Sequence, residues 1–319
     1  MSAIKIREYQ PGDSEKIYSL LNEYTPYLRD SKFWVWINRM LSDENALIVV
    51  AEDNGKIIGH YAVIPKTVSV QEHDYHAGFA IHAFIHPDYR NGFLIFQITK
   101  KMYKVAKAYG IDFIYGFPNE NFREIQVKAE KWKKVELFKA LEKTSLSERE
   151  TNLALTQSSD NYTDIYTLSE IIDASQVVSS VTIKKSLNYY LNRYIRHPQS
   201  LYENYFITKD NKTVAFVCLK KFHNGSESIG HLIDYVSTDS ISFEEILAVV
   251  ENYFYNKVDK ISVWKFSDRN QRILLDNNFE MTGFETFLGV KLLTEDKDLE
   301  KQLTNFKNWQ ICMGDSDAF

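Results

Sequence analysis

Two periods of apolar positions run along the chain. Residues 4–8 alternate apolar and charged side chains and predict a strand. Pro11-Gly12-Asp13 breaks it, with Asp13 placed to cap a helix. Ile17, Leu20, Leu21 and Tyr24 then fall on one helical face. Residues 33–41 predict an aromatic helix and residues 46–52 an apolar strand. Asp53-Asn54-Gly55-Lys56 predicts a hairpin, because Asn-Gly accepts the positive φ that a two-residue turn needs. Residues 57–65 return as a second strand, 67–73 as a third and 78–86 as a fourth. After residues 87–92, Ile95, Ile98, Met102, Val105 and Tyr109 line one helix face, with Gly110 as its stop. Residues 111–117 predict a strand. Asn121 with Glu124 three residues on suggests a helix cap. Trp132 opens a further strand, ended by the charged run at 139–143.

The second half repeats this order. Trp36-Ile37-Asn38-Arg39-Met40 resembles Tyr190-Leu191-Asn192-Arg193-Tyr194, 154 residues on. The turn at Asp53–Lys56 has its like at Asp210-Asn211-Lys212, and Ile111-Asp112 and Trp132 have theirs at Val258-Asp259 and Phe279. The offset drops by ten across the segment 87–94. In the second half a strand at 229–236 therefore feeds almost directly into a helix capped by Ser242 and Glu245. A duplicated α/β (α+β) unit, its second copy lacking one loop, accounts for this. The polar stretch 145–161 is the predicted boundary, giving domains at 1–145 and 160–319.

Composition narrows the class. A chain of 319 residues and 37.3 kDa fits two domains. Lys and Arg number 38 against 43 Asp and Glu, and this net charge of −5 argues against a grip on nucleic-acid backbones. Cys218 and Cys312 stand far apart and form no disulfide framework. No signal peptide and no spanning apolar run is visible, so a cytoplasmic protein is expected. His73, His76, His82 and His86 do not have metal-ligand spacing, and no metal is expected.

The chemistry concentrates at His86-Pro87-Asp88-Tyr89-Arg90-Asn91-Gly92, between a strand and a helix. A loop feeding a helix N-terminus presents backbone N–H groups and a positive dipole end, which suit a pyrophosphate. This loop, Gly116-Phe117-Pro118-Asn119-Glu120-Asn121 after the next strand, and Lys131-Trp132 beyond resemble the GNAT N-acyltransferase superfamily. The resemblance implies two tandem GNAT-like domains, each a mixed, mostly antiparallel sheet flanked by helices. It implies that Phe84, Ile85 and His86 pair with the pantetheine of an acyl-CoA donor. It also implies that the amides of Arg90, Asn91, Gly92, Phe93, Leu94 and Ile95 cradle the pyrophosphate, with Asn119 and Asn121 beside the pantetheine. The family's loop glycines fall at Phe93 and Ile95, with Gly92 one place early. Its common acidic tyrosine falls at Lys128, which carries no such role. The lysines at 100, 101, 104 and 107 are placed to attract a phosphate, although a solvated helix face is the plainer reading.

The reaction needs a base for an attacking amine and donors for an oxyanion, which strand-end amides can supply. His82 is the expected base, because an imidazole titrates near neutrality; Glu120 and Asp88 are the carboxylate alternatives. In the second domain Arg193, Arg196, His197 and Tyr202 suit a phosphorylated acceptor. The C-terminal stretch 309–317 resembles two-domain GNAT proteins of bacterial surface-sugar pathways, such as the anthrose-pathway N-acyltransferase. There Asp315 and Asp317 would meet an amine or sugar hydroxyls. The expected acceptor is the amine of a nucleotide-linked (dTDP) amino-deoxy sugar, on a monomer or homodimer. Two alternatives stay open: a peptidoglycan-type aminoacyltransferase using aminoacyl-tRNA, and a degenerate GNAT-fold binding protein.

Overall fold

The computed structural model describes residues 4–25, 29–40, 42–90, 93–175, 179–199 and 201–318. The chain forms two compact units, one of residues 1–136 with 287–304, the other of residues 137–286 with 305–319.

The first unit runs β1 (Lys5–Glu8), α1 (Asp13–Tyr24), α2 (Ser31–Val35), a π-helical turn at Trp36–Met40, β2 (Leu47–Asp53), β3 (Lys56–Val70), β4 (His73–Ile85), α3 (Phe93–Ala108), β5 (Phe113–Gly116), α4 (Glu120–Ala129) and β6 (Lys133–Lys139). The second begins with β7 (Leu141–Lys143), β8 (Ala154–Gln157), α5 (Tyr162–Ala174), β9 (Val181–Ile183) and α6 (Leu187–Tyr190) with a π-helical turn at Leu191–Ile195. It continues through β10 (Glu203–Lys209), β11 (Lys212–Asn224), β12 (Glu227–Ser237), α7 (Phe243–Phe254), β13 (Lys260–Val263) and α8 (Asp268–Asp276), after which β14 (Glu285–Leu292) passes into the first unit. The first sheet has the order β1-β2-β3-β4-β5-β14-β6 and the second β7-β13-β12-β11-β10-β8. Each is mixed: β4 with β5 and β12 with β13 are parallel, and the neighbouring hairpins are antiparallel. Two copies of one α/β order are thus present, down to the π-turn in each. The strand that ends the second copy, β14, lies between β5 and β6 of the first sheet, while β7 from the first half edges the second.

Local chemistry explains most boundaries. Gly12, at φ 97, precedes α1, and the Asp13 carboxylate takes Arg7 (2.5 and 2.9 Å) and the Gln10 amide (2.8 Å). The hairpin turn places Asn54 at φ 49 and Gly55 at φ 80, as Asn-Gly implies. The stretches 57–65 and 67–73 are not two strands. They join into β3, where Pro65 lies beyond the last residue paired to β2 (Val63). Asn119, not Asn121, caps α4, accepting the Phe122 amide at 3.0 Å. The strand after Trp132, β6, ends at Lys139 where the charged run begins, and a short further strand, β7, follows after Ala140.

In the first unit α3 packs Ile98, Met102 and Ala106 onto Val49, Ile58, Val63 and Ile114, all buried. Beneath it Glu130 is buried, and burial raises its carboxyl pKa. It accepts from the Thr99 and Tyr103 hydroxyls, and Tyr103 accepts from the Trp132 indole at 2.8 Å. This network gives Trp132 its place and ties α3 to the chain after α4.

Gly78 lies where β4 still pairs with β5. A Cβ there would overlap Val63 Cγ1 and reach Ile111 Cδ1 at 3.3 Å. Gly78→Val is expected to lower the unfolding free energy in urea by about 1–3 kcal/mol through overpacking, and an unchanged midpoint would refute the tight approach.

Candidate active site

The site begins where β4 leaves β5. Their parallel pairing covers Ala77–Phe113, Gly78–Ile114 and Phe79–Tyr115 and goes no further, although β4 continues to Ile85. On its other edge β4 stays paired with β3, but the register shifts: His60 faces Phe84 and Ala62 faces Ile81. Tyr61 alone therefore opposes His82 and Ala83, a β-bulge. His82 takes up the extra residue at φ 50. A side chain in that region costs on the order of 1–2 kcal/mol, and such conformations gather at functional sites. Among the described residues His82 is the one non-glycine within a strand at positive φ.

After β4 the chain turns through a 3-10 turn, Pro87–Tyr89, into α3. The His86 amide bonds Ile58 O at 2.8 Å, and the amides of Tyr89 and Arg90 bond His86 O and Pro87 O at 2.9 and 3.1 Å. The Arg90 amide is thus engaged within the turn and is not offered to a ligand. Arg90 Nε donates to Ile85 O at 2.9 Å, so the side chain braces the strand end. Asn91 and Gly92 lie outside the described residues. Phe93, Leu94 and Ile95 form the first turn of α3, where amides have no acceptor within their own helix. The Leu94 and Ile95 side chains are buried in the core, whereas Phe93 is 77% exposed.

The face of the sheet toward α1 and α2 is aromatic. Tyr24 stacks on Phe84 (5.8 Å between centroids) and meets the His86 ring edge-on (5.1 Å). His86 Nδ1 accepts the Asp88 amide at 3.3 Å, which leaves Nε2–H to donate to the Tyr24 oxygen at 2.9 Å. Trp34 lies 6.2 Å from His60, and His60 lies 6.5 Å from His82. His60 Nδ1–H donates to the His82 carbonyl at 2.9 Å, and its Nε2 is buried without a partner. Burial pushes His60 down to about 4 and, with the charges of Arg29 and His60, pushes His82 down to about 3. His82 does not titrate near neutrality as expected from its residue type; it stays an uncharged acceptor. Arg29 is held by Thr25 Oγ1 at 2.6 Å and by the Phe33 ring at 5.8 Å.

The remaining candidates are placed apart. Asp88 and Glu120 have exposed side chains at the starts of the turn and of α4. Asn119 is committed to its cap, and Asn121 is exposed in the first turn of α4. Lys128 pairs with Glu124 on the outer face of α4. Lys101 pairs with Glu8 at 2.7 Å, while Lys100, Lys104 and Lys107 are exposed on α3.

In the second unit Arg193, His197 and Tyr202 do come together, but protein groups already use them. Arg193 donates to Tyr202 OH, to Gly314 O (3.4 Å) and to Ser316 O (3.2 Å), and His197 packs edge-on to Tyr202 at 5.3 Å. Arg196 forms a two-pronged pair with Asp160 (2.7 and 2.9 Å). Asp315 is buried against Lys185 at 2.9 Å and accepts the Cys312 amide at 2.8 Å; Asp317 is exposed. These contacts replace the open phosphate seat expected there with a locked interior. Sequence reading missed His60, Tyr24 and Trp34. Their one legible signal was position: each lies on an element facing the strand that carries His82.

Residues 5–124 match a family model described as an acetyltransferase (GNAT) domain. No curated protein matches the sequence. Among solved structures the chain is similar to a GCN5-related N-acetyltransferase from Anabaena variabilis, at 11% identity and TM-score 0.68, over 92% of this chain and 73% of that one. It is also similar to N-myristoyltransferase from Saccharomyces cerevisiae with bound myristoyl-CoA, at 12% identity and TM-score 0.62, over 91% and 79%. A probable N-acyltransferase from Enterococcus faecalis gives 10% identity and TM-score 0.66, over 95% and 74%. At such identities the likeness is one of fold. Residues 5–124, a little over a third of the chain, are similar to GNAT acetyltransferase domains, and a CoA-dependent acyltransferase is the activity this match supports.

Proposed function

We propose that the protein moves an acyl group from acyl-CoA to the amine of a small acceptor, a nucleotide-linked amino-deoxy sugar. The observation carrying the donor half is the departure of β4 from β5 beyond Phe79–Tyr115, next to the first turn of α3. A strand edge without its neighbour can take an extended pantetheine arm by backbone pairing. The first-turn amides of α3 favour the diphosphate. The yeast N-myristoyltransferase of similar fold holds bound myristoyl-CoA in its crystal structure, which supports the same donor class here.

For the acceptor half, the half-exposed Tyr24 ring, backed by Phe84, supplies apolar surface suited to a sugar ring, and the Arg29 charge lies near both histidines. The amine must arrive unprotonated. As its nitrogen attacks the thioester carbonyl and gains positive charge, neutral His82 accepts its N–H. The C–S bond then breaks, and the proton shed by the nitrogen, handed on through His82, ends on the leaving sulfur to give the CoA thiol. An uncharged imidazole keeps its lone pair at every pH above its own titration, so the acid limb of kcat/KM belongs to the acceptor amine.

Thiol release from acetyl-CoA across a panel of nucleotide-linked amino sugars tests this reading. Turnover is expected with that class; turnover confined to other amines would refute the acceptor, and no acetyl-CoA binding in calorimetry would refute the donor. His82→Ala is expected to lower kcat by about 100-fold or more, the usual scale for a lost proton acceptor. Acceptors with a lower amine pKa should move the acid limb down by the same amount, whereas a limb fixed near 6.5 for all of them would show that His82 titrates. Stability should also depend on pH. His60 binds a proton less readily folded (about 4) than unfolded (about 6.5), so its contribution is full above pH 6.5 and is lost as pH falls toward 4. The urea midpoint should drop between pH 7 and 5, by on the order of 1–2 kcal/mol from this residue, and His60→Asn should flatten that slope.

A further inference from the structure

Inside the strand that carries His82, one backbone conformation runs against local preference, and one buried side chain holds it. His82 sits at φ 50 in the two-against-one bulge opposite Tyr61. Its carbonyl, displaced from the regular ladder, accepts Nδ1–H of His60 at 2.9 Å. His60 is 1% exposed, on the strand that sets the register, and is flanked by Trp34. The bond fixes its tautomer, because a carbonyl can only accept; Nε2 is then left as a buried lone pair without a protein partner.

The second unit offers an internal comparison. There β11 and β12 also shift register, with Ile233 as the extra residue, but the flanking pair is Cys218 and Asp234. Among the described residues of β12 none has a positive φ. The bulge as such therefore does not require the left-handed residue. The unit with the strand–turn–α3 arrangement has both the strained residue and the histidine that holds its carbonyl.

We propose that His60 is a positioning residue, whose Nδ1–H bond to the His82 carbonyl holds the β4 bulge and so sets the His82 ring relative to acceptor and thioester. This rests on the acyltransfer reading above. The clamp acts on a geometry and gains nothing from contact with donor, so its loss should appear in kcat and not in donor affinity. An asparagine can present an amide N–H close to the place of Nδ1–H, whereas a leucine fills space and donates nothing.

The experiment compares wild type, His60→Asn and His60→Leu in the full chain. It uses acetyl-CoA calorimetry, thiol-release kinetics with a turned-over acceptor, and nitrogen-15 imidazole spectra of the wild type. We expect His60 in the Nδ1–H tautomer, kcat of His60→Asn within about threefold of wild type, and kcat of His60→Leu down by about tenfold or more with acetyl-CoA affinity within about twofold. Wild-type kcat in His60→Leu, an equal loss in both variants, or a proton on Nε2 of His60 would each overturn the assignment. Melting curves check that the variants are folded; if neither is, the wild-type tautomer decides. Wild type that binds no acetyl-CoA sinks the acyltransfer reading itself, while binding and turnover that survive His60→Leu sink only the role of His60.

Discussion

The register between β3 and β4 is the constraint on which the site depends. A side-chain period of two means that one extra residue on β4 reverses which face each later residue occupies. Without the bulge at His82, Phe84 would turn away from Tyr24, and the His86 ring would no longer meet the Tyr24 hydroxyl. The cost is a left-handed histidine, held by a bond from a neutral, buried neighbour. Burial pushes the pKa of both histidines down, so the environment that holds this backbone disfavours charge on either ring.

A second constraint is the parting of β4 from β5. Gly78 leaves room for Val63 and Ile114 where the two strands pair, and beyond Phe79 the strand edge opens beside the turn that feeds α3. In the proposed reading each half of the donor would be met by backbone: an extended arm by the strand edge, a diphosphate by the first turn of α3. Such a site needs few particular side chains. That is why Phe93 and Ile95 can stand where the resembling family has glycines: Ile95 turns into the core, and Phe93 points outward.

The two copies of the α/β order have diverged by filling. In the second unit the turn before the helix is short, and the face that carries aromatics and histidines in the first is occupied by the chain's own end. There Lys185 bonds Asp234 and Asp315, Tyr194 bonds Asp234 at 2.6 Å, and Arg193 holds the carbonyls of Gly314 and Ser316. Buried charges paired in this way are costly to disturb, since removing one partner strands the other in a low dielectric. Residues that would suit phosphate recognition serve instead to lock one unit.

Much of this was legible in the sequence, because it is local. Helical periodicity marked α1, α3 and α7, Asn54-Gly55 marked the first hairpin, and the Ser242–Glu245 capping box is formed as written. The repeated order is met by two compact units, although their bounds differ from 1–145 and 160–319, and the strand–turn–helix from His86 to Phe93 is where the proposed donor site lies. Tertiary structure alone decided what depends on partners distant in the chain. The placing of β14 between β5 and β6 follows from sheet pairing, which leaves no mark on either strand's own pattern. The bulge at His82 depends on the register with β3, and the depressed pKa of His82 on a burial that its alternation does not reveal. Arg193 and Asp315 read as ligands because their charges invite one, and only packing shows those charges already spent inside the protein.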